Sequence, residues 1–135
     1  MPRSPKAALP EPSDLELQIL ATLWRRGPST AREVMDDLPD EKQRAYTSVL
    51  SVLQVMQKKG LVKVVDRRGL ANVFQHAVTQ KQTLTPMFRA MVKRIFAGSP
   101  AAAMQQLLDA DTVTDHELAE MRRLLDEAEH KRSNQ

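Results

Sequence analysis

The spacing of apolar residues changes at Gly60, and this change limits the folds open to the chain. Before Gly60, apolar side chains recur about every 3.6 residues, as they do on one face of a helix. After it, β-branched residues dominate two short runs, 61–65 and 72–78, which are typical of strands. The sequence predicts helices followed by a two-stranded hairpin whose turn is 66–69. Because an isolated hairpin is only marginally stable, we expect this one to pack on the helices before it.

Polar residues at a fixed spacing mark where the helices begin. Ser13 with Glu16, and Thr30 with Glu33, form the S/T-x-x-E pattern, in which each side chain pairs with a backbone N–H that the helix start leaves free. Glycine or proline follows each helical run and ends it. The predicted helices occupy residues 13–26, 30–38 and about 45–59.

Helical spacing returns after Thr79 and continues to about residue 129. Pro100 is suited to open one helix, and Thr114 with Glu117 repeats the capping pattern for another. The apolar stripes of these helices, in a small chain without disulfide bonds, favour a homodimer. The residues expected to be buried across its two-fold axis are Met87, Met91, Ile95, Leu107, Leu118, Met121, Leu124 and Leu125.

Charge is segregated along the chain. Residues 11–41 hold eight acids and three bases, and residues 109–129 hold eight acids and two bases. The intervening segment 42–68 holds seven bases and one acid, Asp66. A basic block between acidic ones indicates an anionic partner at one face.

Helix, helix, helix and hairpin, in that order, predict a winged helix-turn-helix within a mainly α (α+β) protein. The exposed start of the third helix would enter the major groove of double-stranded DNA. The basic side chains on the protein hairpin would reach the DNA backbone or the minor groove. The predicted DNA-binding residues are Gln43, Arg44, Tyr46, Thr47, Ser48, Ser51, Lys58, Lys59, Lys63, Arg67 and Arg68. The predicted regions are a flexible leader (1–12), the winged helix (13–78), a helical dimerisation domain (79–129) and a frayed tail (130–135).

Each of these features also has a structural interpretation. The hydroxyl cluster at 47–51 is compatible with an ordinary solvated helix face, and Tyr46 is equally suited to brace the end of the second helix. Lys58 and Lys59 are placed where cations offset the negative end of a helix dipole. DNA binding is favoured because the polar face, the basic hairpin and the charge segregation coincide in one segment.

Other classes of function have little support. The chain has no cysteine, its three histidines lack the spacing of a metal site, and no nucleophile or phosphate-loop motif is present. We therefore predict no catalytic residues, no metal and no cofactor, which argues against a small hydrolase. With no signal peptide and no apolar stretch long enough to cross a bilayer, we expect a cytoplasmic protein without a membrane partner.

Several short motifs resemble one known family. They are SDLELQIL (13–20), Leu23-Trp24, TAREV (30–34), AYTSVL (45–50) and QKKGLV (57–62). In combination, from about Ser13 to Glu127, they resemble the BlaI/MecI/CopY family of penicillinase repressors. The resemblance implies a homodimeric repressor of resistance or metal-homeostasis genes. Because a two-fold axis relates the two recognition helices of such a dimer, we expect a palindromic operator. The resemblance also implies release by a partner protease or antirepressor, or by metal.

The chain departs from that family at specific residues. Val55 and Leu70 stand where the family often has arginine or another base, and Gln106-Leu107 occupies the place of an Asn-Phe cleavage site. The cysteine pairs of the copper-responsive members are absent. The main alternative is a winged-helix module that binds another protein and not DNA.

Overall fold

The computed structural model describes residues 11–39 and 43–135, so the predicted leader lies almost wholly outside the described residues. The chain divides into two compact units, the first ending at Met87 and the second starting at Phe88. The elements, in chain order, are α1 (Asp14–Arg26), β1 (Ser29–Thr30), α2 (Ala31–Asp37), α3 (Tyr46–Lys59), β2 (Val62–Arg68), β3 (Ala71–His76), α4 (Gln80–Ile95), α5 (Pro100–Leu108) and α6 (Asp115–Ser133). This order confirms the predicted fold class, a winged helix followed by C-terminal helices.

The first two helices begin as their sequences predict. At α1, Ser13 N–H donates to Glu16 Oε1 (2.8 Å) and Glu16 N–H donates to Ser13 Oγ (3.2 Å). Thr30 and Glu33 make the same reciprocal pair of bonds at α2. Such a box satisfies two backbone donors that a helix start otherwise leaves unpaired. The local sequence therefore fixes the starts of both helices.

The sheet has three antiparallel strands in the order β1-β3-β2, one more than the predicted hairpin. The additional strand, β1, pairs Ser29 with Phe74 and Thr30 with Val73. A two-residue strand is too short to show a period of two, so the sequence pattern could not reveal it. Its position directly before α2 ties the start of that helix to the hairpin.

The predicted turn at 66–69 is wrong. Asp66, Arg67 and Arg68 belong to β2, and the turn is the two-residue Gly69-Leu70. Gly69 has a φ of 62°, which suits the first position of a tight hairpin turn. A β-bulge between Val64 and Asp66 interrupts the alternation of side chains along β2. Without that alternation, the polar run from Asp66 to Arg68 before Gly69 resembled a turn in the sequence.

The hydrophobic core of the first unit lies between the three helices and the sheet. Trp24 packs against this core, and its ring Nε1–H donates to the carbonyl of Val78 (3.0 Å). That bond ties α1 to the segment after β3. The buried core residues are Ile19, Leu20, Leu23, Ala31, Val34, Val49, Leu53, Met56, Leu61, Val62, Phe74 and Val78.

The second unit contains the end of α4 together with α5 and α6. The division between the units lies inside α4, directly after Met87, whereas the sequence predicted it before that helix. The last helix continues to Ser133, so most of the predicted tail 130–135 is helical. Gln106 and Leu107 are exposed in the last turn of α5. Across the residues that the structure describes, no helix is long and apolar enough to cross a membrane.

Candidate nucleic-acid interface

One face of α3 is polar and open to solvent. Thr47, Ser51, Gln54 and Lys58 follow one another at helical spacing, and all four are exposed. The opposite face carries Val49, Leu53 and Met56, which are fully buried. The core thus holds α3 in place and turns a row of hydroxyl, amide and ammonium groups outward. We call Thr47, Ser51, Gln54 and Lys58 the α3 stripe.

The start of α3 is also open. Gln43 and Ser48 are exposed, and the N-cap residue, Ala45, makes no side-chain capping bond. Because the first N–H groups of a helix lack intrahelical acceptors and carry the positive end of the dipole, an open start favours an anion. This contrasts with α1 and α2, whose starts are closed by capping boxes.

Gln54 belongs to the α3 stripe but was not among the predicted binding residues. The signal was available, because Gln54 stands seven residues after Thr47 and therefore lies on the same helix face. Ser51 lies at the edge of the stripe, where it lines a shallow groove with Ser13 and Val55.

Tyr46, the first residue of α3, is half-buried and packs against the core. The guanidinium carbon of Arg32, on α2, lies 4.9 Å from the centre of its ring. Arg32 is exposed and was not predicted as a binding residue. No sequence signal joins the two, since the contact arises only when α2 packs beside the start of α3. This contact lies at the start of α2, whereas the bracing role considered for Tyr46 was at the end of that helix.

Adjacent lysines at the end of α3 have different surroundings. Lys59 Nζ lies 3.0 Å from Glu16 Oε2, and the Glu16 side chain is 4% exposed. Burial raises the pKa of Glu16, but the Ser13 backbone N–H and the Lys59 ammonium lower it more, so the net pKa is below its ordinary value. Lys58 is exposed and makes no ion pair in the part of the chain that the structure describes. Lys59 therefore holds α3 to α1, while Lys58 faces solvent.

The two arginines of β2 repeat this contrast. Arg68 Nη1 lies 2.8 Å from Glu33 Oε1, which ties the hairpin to α2. Glu33 also pairs with Arg26 (3.2 Å), and its pKa is lowered, first by the Thr30 backbone N–H and then by Arg68. Arg67 is exposed, and no ion pair involves its side chain among the described residues.

The bulge in β2 determines which way the hairpin cations point. Lys63 pairs with Gln75 and Arg67 pairs with Asn72. Because directly opposed residues of antiparallel strands share a face, and side chains along a strand alternate, Lys63 and Arg67 lie on opposite faces of the hairpin. An unbroken strand would have put both on one face. At the tip between the strands, Leu70 is 94% exposed.

Two further cations of the basic segment 42–68 remain, of which Arg44 was predicted to bind DNA and Lys42 was not. Arg44 is half-buried, with its Nε atom out of contact with solvent, so the fold partly encloses it. Lys42 falls outside the described residues. The exposed cations of the described part of this segment that have no ion pair there are Lys58, Lys63 and Arg67.

The site offers hydrogen-bond donors and positive charge, which suit the binding of a polyanion. Among residues 11–39 and 43–135, no three histidine or carboxylate side chains gather into a metal-binding group.

Comparison with known proteins then places the chain in a family. The sequence profile of the penicillinase repressor family matches residues 12–127. The chain belongs to the penicillinase repressor family. The resemblance identified in the sequence is thereby confirmed.

Individual members of the penicillinase repressor family are similar to the chain to different extents. The chain is 42% identical over 57 residues to proteins named transcriptional regulator BlaI from two strains of Mycobacterium tuberculosis, CDC 1551 and H37Rv. This match covers 42% of the chain and about two fifths of each relative's length (41%). A protein named penicillinase repressor from Bacillus licheniformis is 18% identical over 124 residues, covering 92% of the chain and 96% of that protein.

Proposed function

We propose that the chain is a DNA-binding transcriptional repressor whose α3 enters the major groove of double-stranded DNA. The observation that carries the proposal is the α3 stripe together with the open start of the same helix. Hydroxyl and amide groups on such a helix can read base edges, while ammonium groups bind phosphates. Membership in a family of transcriptional regulators supports this function over that of an enzyme.

Lys58, Lys63 and Arg67 are the cations that we assign to phosphate contact. Lys59 and Arg68, predicted for the same role, are each held by a carboxylate of the protein. We assign these two to shaping the domain: Lys59 fixes α3 against α1, and Arg68 fixes the hairpin against α2. Phosphate contacts set the position of the protein on DNA, and base contacts supply the sequence preference.

We further propose that the repressor is a homodimer that binds a palindromic operator. Five of the eight predicted dimer residues are exposed apolar side chains: Met91 (39%), Ile95 (70%), Leu107 (61%), Leu124 (54%) and Leu125 (48%). Phe88 (57%) and Leu108 (42%), which were not predicted, share this exposure in the same unit. Exposed apolar side chains in such number favour a partner surface. A two-fold axis would set two α3 helices about 34 Å apart, one turn of DNA.

Selection of DNA from a random-sequence pool by the full chain tests the proposal. We expect enrichment of an inverted repeat with half-site centres about ten base pairs apart. Recovery of no preferred sequence, together with no retention of sheared genomic DNA, would contradict DNA binding. That pair of results would favour the alternative of a protein-binding module.

A further inference from the structure

We propose that Arg32 of α2 binds a DNA phosphate beside the start of α3, and that Tyr46 is the positioning residue that holds it there. The inference rests on the proposed function and adds a second helix to the DNA-binding surface. Its basis is the contact between the Arg32 guanidinium carbon and the Tyr46 ring, 4.9 Å to the ring centre. This distance is within the range of about 6 Å in which a cation is attracted to an aromatic face.

The Tyr46 ring is a fixed platform. Tyr46 is half-buried and packs against the core from the first turn of α3. A guanidinium lying over such a ring loses freedom of movement, yet its planar N–H groups stay available at the edge. Arg32 is therefore ordered by the protein without being neutralised by that contact.

The nearby carboxylate of Glu33 is occupied elsewhere. It accepts from the Thr30 backbone N–H and pairs with Arg26 and Arg68. No salt bridge of Arg32 occurs among the residues that the structure describes. Arg32 thus carries an exposed positive charge that no described carboxylate pairs with. The next residue, Glu33, is instead paired with Arg26 and Arg68.

Its place in the fold suggests the ligand. In a helix-turn-helix, the helix before the recognition helix crosses the DNA backbone. Arg32 lies on that helix and touches the first residue of α3. A planar guanidinium at this junction suits paired hydrogen bonds to phosphate oxygens, which a lysine cannot make. The ligand we assign to Arg32 is therefore a backbone phosphate and not a base.

Fluorescence anisotropy of the full chain with the duplex it selects tests the inference. We expect Arg32→Ala to weaken binding about tenfold and to reduce the slope of log affinity against log salt by about 0.9 for each protomer. Arg32→Lys keeps the slope but recovers only part of the affinity. Tyr46→Phe retains the ring and behaves as the wild type, whereas Tyr46→Leu lowers affinity with little change in slope.

Arg25→Ala is the matched control, because it removes the same charge from an exposed arginine on α1 that approaches Asp37 (4.0 Å). If Arg32→Ala matches Arg25→Ala in both affinity and slope while the wild type binds DNA, the inference is wrong and the proposed function stands. If the wild type binds no DNA, the proposed function itself fails. Thermal unfolding checks whether the Tyr46→Leu variant folds. If that variant does not fold, the Arg32→Ala variant still tests the inference, because Arg32 is exposed.

Discussion

At the scale of residues, neighbouring cations of equal charge have opposite roles. Lys59 is bound to a buried carboxylate and Arg68 to Glu33, while Lys58 and Arg67 have no ion pair within the described chain. Counting basic residues along the sequence cannot make this distinction. The carboxylates that pair with Lys59 and Arg68 belong to Glu16 and Glu33, which are distant in the sequence. Each pair provides a matched comparison in which one charge is removed from one of two adjacent positions.

The first prediction compares Lys58→Ala with Lys59→Ala. Lys58→Ala should reduce the salt dependence of DNA affinity by about 0.9 for each protomer and leave the unfolding midpoint unchanged. Lys59→Ala deprives a buried carboxylate of a charged partner and should lower the free energy of unfolding by roughly 1–3 kcal/mol. Urea denaturation and anisotropy measure the two quantities. The opposite pattern would show that Lys59, and not Lys58, meets DNA.

The second prediction concerns pH and Glu16. The pKa of Glu16 lies below its ordinary value of 4.5 in the folded protein, so ionisation of this group stabilises the fold above that value. The contribution is lost as the pH falls through the folded pKa. We expect Glu16→Gln to be less stable than the wild type at pH 7, and the difference to shrink by roughly pH 3, in urea denaturation. A difference that is the same at both pH values would contradict this role of the Glu16 charge.

At the scale of elements, the sequence predicted the helices better than the sheet. The capping boxes at Ser13 and Thr30 place the starts of α1 and α2 correctly because every partner lies within four residues. The strand β1 and the turn at Gly69-Leu70 were missed, because both depend on pairing between distant segments and on a bulge. The α3 stripe was largely predictable from helical spacing. The Arg32–Tyr46 contact was not, since it needs α2 and α3 to meet.

The third prediction concerns the tip of the hairpin. Leu70 is 94% exposed there, beside the strand end that carries Arg67. If the tip meets the DNA backbone, Leu70→Lys should increase affinity at low salt and steepen the salt dependence by about 0.9 for each protomer. Because the wild-type side chain has almost no packing to lose, the unfolding midpoint should not change. Unaltered affinity and slope in anisotropy would show that the tip stays away from DNA.

At the scale of the whole molecule, the two units divide the work that we propose. The first unit holds the α3 stripe and the hairpin, and the second holds most of the exposed apolar residues. A single winged helix meets only one half-site, so sequence selectivity over a palindrome requires two copies. Dimerisation is therefore as necessary to the proposed repressor as the α3 stripe.

The fourth prediction compares Leu124→Ala with Leu70→Ala. Both changes remove an exposed leucine, from the second and the first unit respectively. Leu124→Ala should weaken the dimer about tenfold or more, because a side chain buried at an interface is lost. Leu70→Ala should leave the dimer intact. Sedimentation equilibrium measures the dimer dissociation constant of each variant. Equal constants for the two variants would contradict the placement of Leu124 in the dimer interface.

The fifth prediction, the salt dependence of DNA affinity, tests the central claim most directly, because the claim is that the chain binds DNA through exposed cations. Anisotropy of the wild-type chain with its selected duplex gives this dependence between 50 and 200 mM salt. If each protomer meets roughly three to five phosphates, affinity should fall by about 10³ to 10⁵ over that range. An affinity that stays constant across the range would contradict the account.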